Sequence, residues 1–346
     1  MNLGGHYDDI HLGRAMARPL VVTLLLAVVA SSAVADRAAP RPVPYHERAV
    51  VRGFVTEMVE RNGFDADHLL AQFRKATPSP AIIKAITPPA EPGMRSWQAY
   101  RERFVEPKRI SLGLDFWRRH AEALARAEST YGVPAEIIVA IVGVETIYGR
   151  HTGRFHVFNA LTNLAFDYPP RATLFRRELE ALLLLAREEQ RDPWSYRGSY
   201  AGAIGLPQFL PSSVREYAVD FDGDGRVDLA SNAVDTIGSV ARFLSQHGWV
   251  EGQIIARAVQ VNGDPAPLVA EGIRPARLPT EMTGFGVDVG DAPPLPAALI
   301  DLATPEAATE YRLGFNNFFV LTRYNRSSFY AAAVMDLAET LRAAYH

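Results

Sequence analysis

The apolar run over residues 137–144 constrains this chain more than any other feature, because it ends in a single carboxylate, Glu145. Ile138, Ile141 and Val142 share the Glu145 face of a helix, so the acidic side chain is expected to point where water is scarce. A carboxyl group in such a place either pairs with a cation or keeps its proton to unusually high pH. A general acid must hold its proton near neutral pH, so sugar-cleaving chemistry is the leading hypothesis.

A structural role is the alternative interpretation of Glu145. A lone glutamate in an apolar helix is often one half of a buried ion pair, and Arg150 and Arg154 are the candidate partners. Perturbed carboxylates mark active sites only as a statistical trend, so the rest of the chain must decide between the two interpretations.

Composition excludes several classes of protein. The 346 residues are 48% hydrophobic and 22% charged, which describes a globular protein of more than one lobe. A net charge of -3 without a dense Lys/Arg block argues against nucleic acid as a partner. Nucleophile-elbow, zinc-protease and P-loop sequences are absent, so serine hydrolase, metalloprotease and nucleotide-hydrolase chemistry are not expected.

The N-terminus has the pattern of a secretory signal. Basic residues precede the apolar segment 20–30, and small residues ending in Ala35 follow it. This order predicts a signal peptide over residues 1–35 with cleavage after Ala35, and an uncleaved anchor is the alternative. The residues before Met16 look like an upstream extension, so Met1 and Met16 both remain candidate starts. Because the chain has no cysteine for disulfides or lipid attachment, a soluble periplasmic protein is expected.

Hydrophobic periodicity predicts mostly helices after a Pro-rich linker over 36–45. The predicted helices cover 46–61, 65–75 with Asp65 as its cap, 97–104, 114–131, the Glu145 helix opened by Pro134, 174–190 and 327–345. Short apolar runs between Pro and Gly residues predict strands over 254–261 and 317–322.

The segment 198–213 combines small residues with hydrogen-bonding side chains. Its Gly and Ala residues allow the backbone to approach a ligand, Ser199 and Gln208 supply polar groups, and Pro211 begins a helix. These features are typical of a cleft for a polar ligand. The alternative is a tight loop that only lets helices pack.

An aspartate-rich segment matches the start of an EF-hand calcium loop. Its loop positions 1, 3, 5, 6 and 7 are filled by Asp220, Asp222, Asp224, Gly225 and the Arg226 carbonyl. Ser231 replaces the usual Glu at position 12, and Asp235 is the candidate that closes the shell from a longer loop. A structural Ca²⁺ site is therefore predicted, with no organic cofactor, and an ordinary Asx-rich turn is the alternative.

The stretch 323–330 places aromatic and amide groups at the start of the last helix. Tyr324 and Tyr330 could stack on sugar rings while Asn325 binds hydroxyl or acetamido groups. Equally, Asn325 could be a helix cap and the tyrosines core residues.

Taken in order, these blocks resemble the membrane-bound lytic murein transglycosylase B family from about Val50 to the C-terminus. The resemblance rests on motifs around Glu145, on Phe166–Ala172, on 198–213, on the acidic loop, on Gly238–Val240 and on Arg323–Asn325. It implies a mainly α, α+β fold: a lysozyme-like helical core with an α-helical lobe and a small β lobe. The implied division is an α lobe over 46–130, the core over 131–251 with its calcium loop at 220–235, the β lobe over 252–322, and a C-terminal helix over 323–346.

The resemblance also implies roles for individual residues. Glu145 matches the single catalytic acid/base of the family. The residues that match the lining of its saccharide cleft are Ser199, Gln208, Tyr324, Asn325, Tyr330, Tyr100 and Arg171. The calcium ligands are matched by Asp220, Asp222, Asp224, the Arg226 carbonyl and Asp235. Two departures stand out: the lipid-anchoring cysteine of membrane-bound members is missing, and Phe243 stands where a cleft tyrosine is expected.

The implied substrate is the glycan strand of peptidoglycan, and the implied enzyme is a monomeric lytic transglycosylase of the lyase class. Glu145 would protonate the β-1,4 glycosidic oxygen between N-acetylmuramic acid and N-acetylglucosamine, and the product would carry a 1,6-anhydromuramoyl end. Two alternatives stay open: a hydrolytic muramidase, and a non-catalytic, calcium-stabilised peptidoglycan-binding protein. The sequence does not identify which cell-wall synthases or amidases act beside it.

Overall fold

Helices dominate the computed structural model, which describes residues 42–88 and 96–345. The predicted signal peptide over 1–35 and its cleavage site lie outside the described residues. The α-helices are α1 (Ala49–Asn62), α2 (Ala66–Lys75), α3 (Pro80–Ile86), α4 (Trp97–Phe104), α5 (Pro107–Arg119), α6 (Ala121–Tyr131), α7 (Ala135–Thr146), α8 (Val157–Asp167), α9 (Ala172–Glu188), α10 (Pro211–Tyr217), α11 (Ala233–Gln246), α12 (Ala266–Ala270), α13 (Pro279–Met282), α14 (Asn316–Tyr324) and α15 (Ser328–Tyr345). The strands are β1 (Phe155–His156), β2 (Arg197–Gly198), β3 (Ala256–Val261), β4 (Val287–Asp288), β5 (Ala298–Leu302) and β6 (Glu310–Gly314).

Most predicted helices are confirmed with small shifts of their ends. Asp65 caps α2, because its Oδ1 accepts the His68 N–H at 2.7 Å. The prediction of one helix over 114–131 is wrong, since α5 and α6 meet at His120. His120 closes α5 through its N–H to the Phe116 carbonyl, and its non-helical backbone then redirects the chain into α6.

The predicted strand over 317–322 is also wrong, because this segment lies inside α14. A short apolar run does not distinguish a buried strand from a buried helix, and tertiary contacts decide here. The Asn317 side chain is completely buried; its Oδ1 accepts the Val250 N–H at 2.9 Å and its Nδ2 donates to the Val250 and Gln253 carbonyls. These bonds fix the first turn of α14 against the loop that follows α11.

The main sheet has the antiparallel order β4-β3-β6-β5. Register pairs include Arg257 with Leu313 and Ile300 with Arg312. A small separate hydrophobic cluster packs on one side of this sheet and contains Val259, Leu268, Met282, Val287, Ala297, Leu299, Leu313 and Phe315. The mainly α, α+β fold class is thus confirmed, whereas the boundaries of the lobes remain predictions.

The centre of the larger core is α7, which is apolar on every side and almost completely buried. It packs against α15, α5, α6 and α11. The helix stops at Thr146 because Ile147 and Tyr148 adopt left-handed backbone with φ of 51° and 57°. The chain therefore turns sharply just after Glu145.

In the part of the chain that the structure describes, no single helix is both long and apolar enough to cross a membrane. The pair α6 and α7 reaches the required length and composition together, but the two helices meet at a bend of 114°. α7 is a buried core helix, and α6 buries only Ala123, Leu124 and Ala127 against the core.

Candidate active site

Glu145 lies in the last turn of α7 and is half-buried. The Tyr330 hydroxyl donates a hydrogen bond to its Oε1 at 2.8 Å. Among the described residues no cation forms an ion pair with Glu145, and Arg150 and Arg154 are both exposed. The interpretation of Glu145 as one half of a structural ion pair is therefore wrong.

Burial raises the pKa of Glu145 from 4.5 to about 7, and the Tyr330 hydrogen bond offsets part of that rise by favouring the ionised form. A carboxyl group with this pKa is protonated in a large fraction of molecules near neutral pH. It can therefore give up a proton and take it back within one reaction cycle.

The two predicted tyrosines form one unit beside Glu145. Tyr330 is 2% exposed, and its ring stacks on that of Tyr324 with centroids 6.2 Å apart and planes at 13°. Tyr324 donates its hydroxyl to the Pro207 carbonyl at 2.5 Å. Burial and the nearby charge of Glu145 raise the pKa of both phenols well above their ordinary value, so both act as hydrogen-bond donors.

Phe243 packs against this unit from α11. Its ring lies 4.9 Å from Tyr324 and 5.5 Å from Phe209, and His247 stacks on it at 4.1 Å. The position that departs from the family pattern is therefore filled by aromatic packing. A phenylalanine supplies no hydrogen bond to a sugar at this point.

The glycine-rich segment, residues 198–213, holds the side chains of Gln208 and Ser199 by hydrogen bonds to nearby backbone groups. Gln208 adopts a left-handed φ of 52°, and its Nε2 donates to the Thr152 carbonyl at 3.1 Å and the Gly205 carbonyl at 2.8 Å. Ser199 Oγ accepts the Ala203 N–H at 3.1 Å, which closes the turn. Strands β1 and β2 pair Phe155 with Gly198 and so tie this segment to the chain that follows Glu145.

The three remaining predicted cleft residues are Tyr100, Asn325 and Arg171. Tyr100 packs against Phe329 with centroids 5.7 Å apart and contributes to the raised pKa of Tyr330, so it borders the same region. Asn325 is exposed at the end of α14. Arg171 is exposed with its guanidinium 5.3 Å from the Phe175 ring, and no hydrogen bond links it to the other predicted cleft residues within the described ranges.

The acidic loop gathers carboxylates of Asp220, Asp222 and Asp235 with ligand oxygens all within 4.8 Å of one another. Two oxygens bound to one Ca²⁺ at 2.3–2.6 Å lie at most about 5 Å apart, so this group fits a single ion. Asp224 lies outside this group of three, and its Oδ1 accepts the Arg226 N–H at 2.8 Å. The roles of Asp224 and of the Arg226 carbonyl as ligands stay predictions. Asp235 is completely buried and accepts the N–H groups of Phe221 and Asp228, which positions it beneath the loop.

Sequence analysis missed two residues that organise these sites. Asn232 Nδ2 donates to Asp222 at 2.7 Å while its Oδ1 accepts the Val234 N–H and caps α11; an Asn directly before a predicted helix is the signal that could have revealed it. Thr146 follows Glu145 and is completely buried, with its hydroxyl bonded to the Leu206 carbonyl at 2.9 Å. Local sequence carries no signal for that long-range bond.

Comparison with known proteins decides the family. Residues 46–339 match the model described as the transglycosylase SLT domain. The chain belongs to this family. The chain is 38% identical over 301 residues to the membrane-bound lytic murein transglycosylase B of Escherichia coli (strain K12), and the aligned residues cover 83% of this chain and 81% of that protein.

Solved structures agree with this assignment. The catenated lytic transglycosylase SltB1 from Pseudomonas aeruginosa is 47% identical with a TM-score of 0.82, and the match covers 87% of this chain and 100% of that chain. The Escherichia coli lytic transglycosylase Slt35 in complex with calcium is 37% identical with a TM-score of 0.77, covering 87% and 94%. The family resemblance is confirmed, and the protein is a lytic transglycosylase of the lyase class acting on peptidoglycan.

Proposed function

We propose that this enzyme cleaves the β-1,4 bond between N-acetylmuramic acid and N-acetylglucosamine in the glycan strand, and that Glu145 is its single acid/base. One observation carries the proposal: Glu145 has no cationic partner among the described residues, and burial raises its pKa to about 7. The group is therefore suited to both directions of proton transfer at the pH of the periplasm.

The reaction follows in two proton transfers. Protonated Glu145 donates to the glycosidic oxygen, the bond to the anomeric carbon breaks, and the positive charge that develops there is met by the acetamido group of the substrate itself. The ionised Glu145 then accepts the proton of the muramic C6 hydroxyl as that oxygen attacks the anomeric carbon. A 1,6-anhydro ring forms, no water is consumed, and Glu145 is protonated again.

The surroundings of Glu145 support a mechanism with one carboxyl group. Glycosidases usually place a second carboxylate about 5–10 Å from the first, as a nucleophile or as a base for water. Within the described residues, burial and Tyr330 alone shift the pKa of Glu145 appreciably, and no second carboxylate does so. Tyr330 stays a donor throughout and stabilises the carboxylate after it has lost its proton.

The saccharide cleft is proposed to run past this carboxyl group. In this proposal Tyr324 and Tyr330 offer aromatic and hydroxyl surface, Gln208 and Ser199 supply polar groups, and Tyr100 lies near Tyr330. Asn325 and Arg171 are exposed and would reach a long glycan only at the rim.

The acidic loop is proposed to hold a structural Ca²⁺. Asp220, Asp222 and Asp235 fit one ion by distance, and Asp224 and the Arg226 carbonyl would complete the shell after a small loop movement. When bound, the ion supplies positive charge that relieves the repulsion among the carboxylates. It would thereby fasten the loop to the first turn of α11.

The cellular setting is proposed from the sequence and the relatives. A secretory signal and the lack of cysteine support an exported, soluble, monomeric periplasmic enzyme, in contrast to the relative named as membrane-bound. Its partner would be the peptidoglycan glycan strand, with cell-wall synthases or amidases acting nearby.

Product analysis on purified sacculi tests the proposal. Mass spectrometry is expected to show anhydromuramoyl ends, which are one water lighter than the reducing ends of a muramidase. Unchanged glycan after long incubation would indicate a binding protein instead. Glu145→Gln keeps shape and hydrogen bonding but has no proton to give, so we expect turnover to fall by at least about 100-fold while glycan binding persists. Residual lysis above a few per cent would refute the role of Glu145.

A further inference from the structure

We propose that Thr146 is a positioning residue for the catalytic carboxyl: its buried hydroxyl ties the end of α7 to the peptide of Leu206 and so holds Glu145 in place. The inference rests on the proposed role of Glu145. Thr146 itself touches no substrate, because it is completely buried.

The hydroxyl of Thr146 both donates and accepts hydrogen bonds. It donates to the Leu206 carbonyl at 2.9 Å, with a longer contact of 3.3 Å to the Val142 carbonyl, and it accepts the Gly149 N–H at 3.0 Å. The bond to Leu206 joins residues 60 positions apart, while the bond from Gly149 closes the turn directly after the helix. A single side chain thus joins the end of the catalytic helix to the glycine-rich segment.

The turn that follows Thr146 has a strained backbone that the hydrogen bonds of Thr146 stabilise. Ile147 and Tyr148 are consecutive non-glycine residues in the left-handed region, a conformation that strains residues carrying a side chain. Strain of this kind persists only where the surrounding contacts hold the backbone. The two hydrogen bonds of the Thr146 hydroxyl supply that hold at the residue next to Glu145.

The anchor itself is rigid, because the Leu206 peptide is held from its other side as well. Its N–H donates to the carbonyl of Leu229, a residue of the acidic loop (220–235), at 2.8 Å. Gly205 leaves no space for a side chain there, since an added Cβ would lie 2.1 Å from the Leu229 oxygen. The backbone around Leu206 is therefore clamped between the acidic loop and α7.

These contacts close a ring around Glu145. Pro207, next to Leu206, accepts the Tyr324 hydroxyl, Tyr324 stacks on Tyr330, and Tyr330 donates to the Glu145 carboxyl. The carboxyl end of Glu145 is held by Tyr330, and its backbone is held through Thr146. Both supports lead to the same two residues, Leu206 and Pro207.

Three variants test the role of the hydroxyl. Thr146→Val has almost the same shape but lacks the hydroxyl, Thr146→Ser keeps the hydroxyl, and Thr162→Val is the matched control. Thr162 is also a completely buried helical threonine, but its hydroxyl bonds only to the Phe158 carbonyl one turn earlier. Turnover of a soluble glycan oligomer and thermal unfolding are measured for each variant and for Glu145→Gln.

A misplaced carboxyl group should lower kcat and leave KM nearly unchanged, because the sugar-binding surface is intact. We expect kcat of Thr146→Val to fall about 10- to 100-fold, as for a displacement near 1 Å. Thr146→Ser should recover kcat to within about threefold, and Thr162→Val should stay within about twofold of the wild type.

The pH profile separates positioning from a general loss of stability. The titratable groups facing Glu145 are the phenols of Tyr324 and Tyr330, which ionise only at high pH, so the alkaline limb of kcat near neutrality reports Glu145. If the carboxyl group of Glu145 turns toward water in Thr146→Val, its pKa should fall, and this limb should move to lower pH. A purely structural role for Thr146 would lower the unfolding temperature and leave the limb where it is.

The inference is overturned if Thr146→Val keeps wild-type kcat and pH profile while Glu145→Gln is inactive, or if Thr146→Ser loses as much kcat as Thr146→Val. Should Thr146→Val fail to fold, Thr146→Ala is compared with Thr146→Ser by the same criteria. An active Glu145→Gln would instead show that the proposed function fails, and the positioning role with it.

Discussion

Glu145 and the acidic loop use the same functional group in opposite surroundings. Glu145 is a solitary carboxyl at the end of an apolar helix, and burial raises its pKa to about 7. Asp222 in the loop is exposed and accepts a hydrogen bond from Asn232, and chiefly for that reason its pKa is lowered. Solvent exposure and hydrogen-bond partners, rather than the carboxyl group itself, decide whether the group exchanges a proton near neutral pH or stays charged.

The two sites also differ in the hydrogen-bond donors around their carboxylates. Backbone N–H groups saturate the loop carboxylates: Asp220 accepts those of Gly223, Asp224 and Gly225. Glu145 has a single phenol as its partner, so its ionised form is poorly compensated. Hydrogen-bond donors therefore surround Asp220 and Asp222, whereas Glu145 has one side-chain donor among the described residues.

The largest expected effect concerns the free energy of unfolding of Glu145→Gln. The pKa of Glu145 is about 7 in the folded protein and near 4.5 when exposed, so the folded state binds its proton more tightly. Wild-type stability should therefore fall as pH rises from about 4.5 to 7, by about 2–3 kcal/mol. Glutamine does not titrate, so Glu145→Gln should gain that amount relative to wild type at pH 8 and little at pH 4.5.

Urea unfolding at both pH values measures this gain. Glu60→Gln, which changes an exposed glutamate on α1, is the control and should change the free energy of unfolding by less than about 0.5 kcal/mol. A gain that does not depend on pH would contradict the raised pKa of Glu145.

The second largest effect is expected in the acidic loop, for the free energy of unfolding of Asp235→Asn. Asp235→Asn removes charge from the buried member of the acidic cluster and sets an amide N–H₂ against the N–H of Phe221 or Asp228. We expect a loss of about 1–3 kcal/mol without metal, and loss of any stabilisation by Ca²⁺.

Calorimetry with added Ca²⁺ and with a chelator checks this prediction. Asp288→Asn, at an exposed aspartate in β4, serves as the control and should keep the Ca²⁺ response. If Asp235→Asn responds to Ca²⁺ like the wild type, the loop is an ordinary turn and the cluster is not its metal site.

A smaller effect is expected for Tyr330→Phe. The hydroxyl bond to Glu145 favours the ionised carboxyl, so its removal should raise the pKa of Glu145 and move the alkaline limb of kcat to higher pH. Loss of a bond worth about 1.5 kcal/mol should lower kcat about tenfold. Tyr311→Phe in β6 is the control, and an unmoved limb would show that Tyr330 does not act on the proton of Glu145.

The smallest effect is expected for Arg226→Ala. The proposed ligand is the backbone carbonyl, and the exposed side chain should contribute less than about 0.5 kcal/mol. Titration calorimetry with Ca²⁺ should give nearly the wild-type affinity. A large loss would mean that the guanidinium, rather than the carbonyl, organises this position.

Sequence analysis predicted most helices because their periodicity and caps are local, as Asp65 shows for α2. It failed where tertiary contacts override a local preference. Residues 317–322 form a helix because buried Asn317 bonds to the backbone of the preceding loop, and α5 ends at His120, whose backbone is not helical.

By itself the sequence determined the chemistry that is available: an apolar helix ending in one carboxyl, a spaced set of aspartates, and ordered motifs that name the family. These are properties of neighbouring residues, which local periodicity and spacing record. Tertiary structure alone decided that Glu145 has no cation among the described residues, that Tyr330 reaches it across 185 positions, and that Thr146 bonds to Leu206. Such contacts depend on packing between distant segments, and packing is what removes the water that would otherwise keep Glu145 charged.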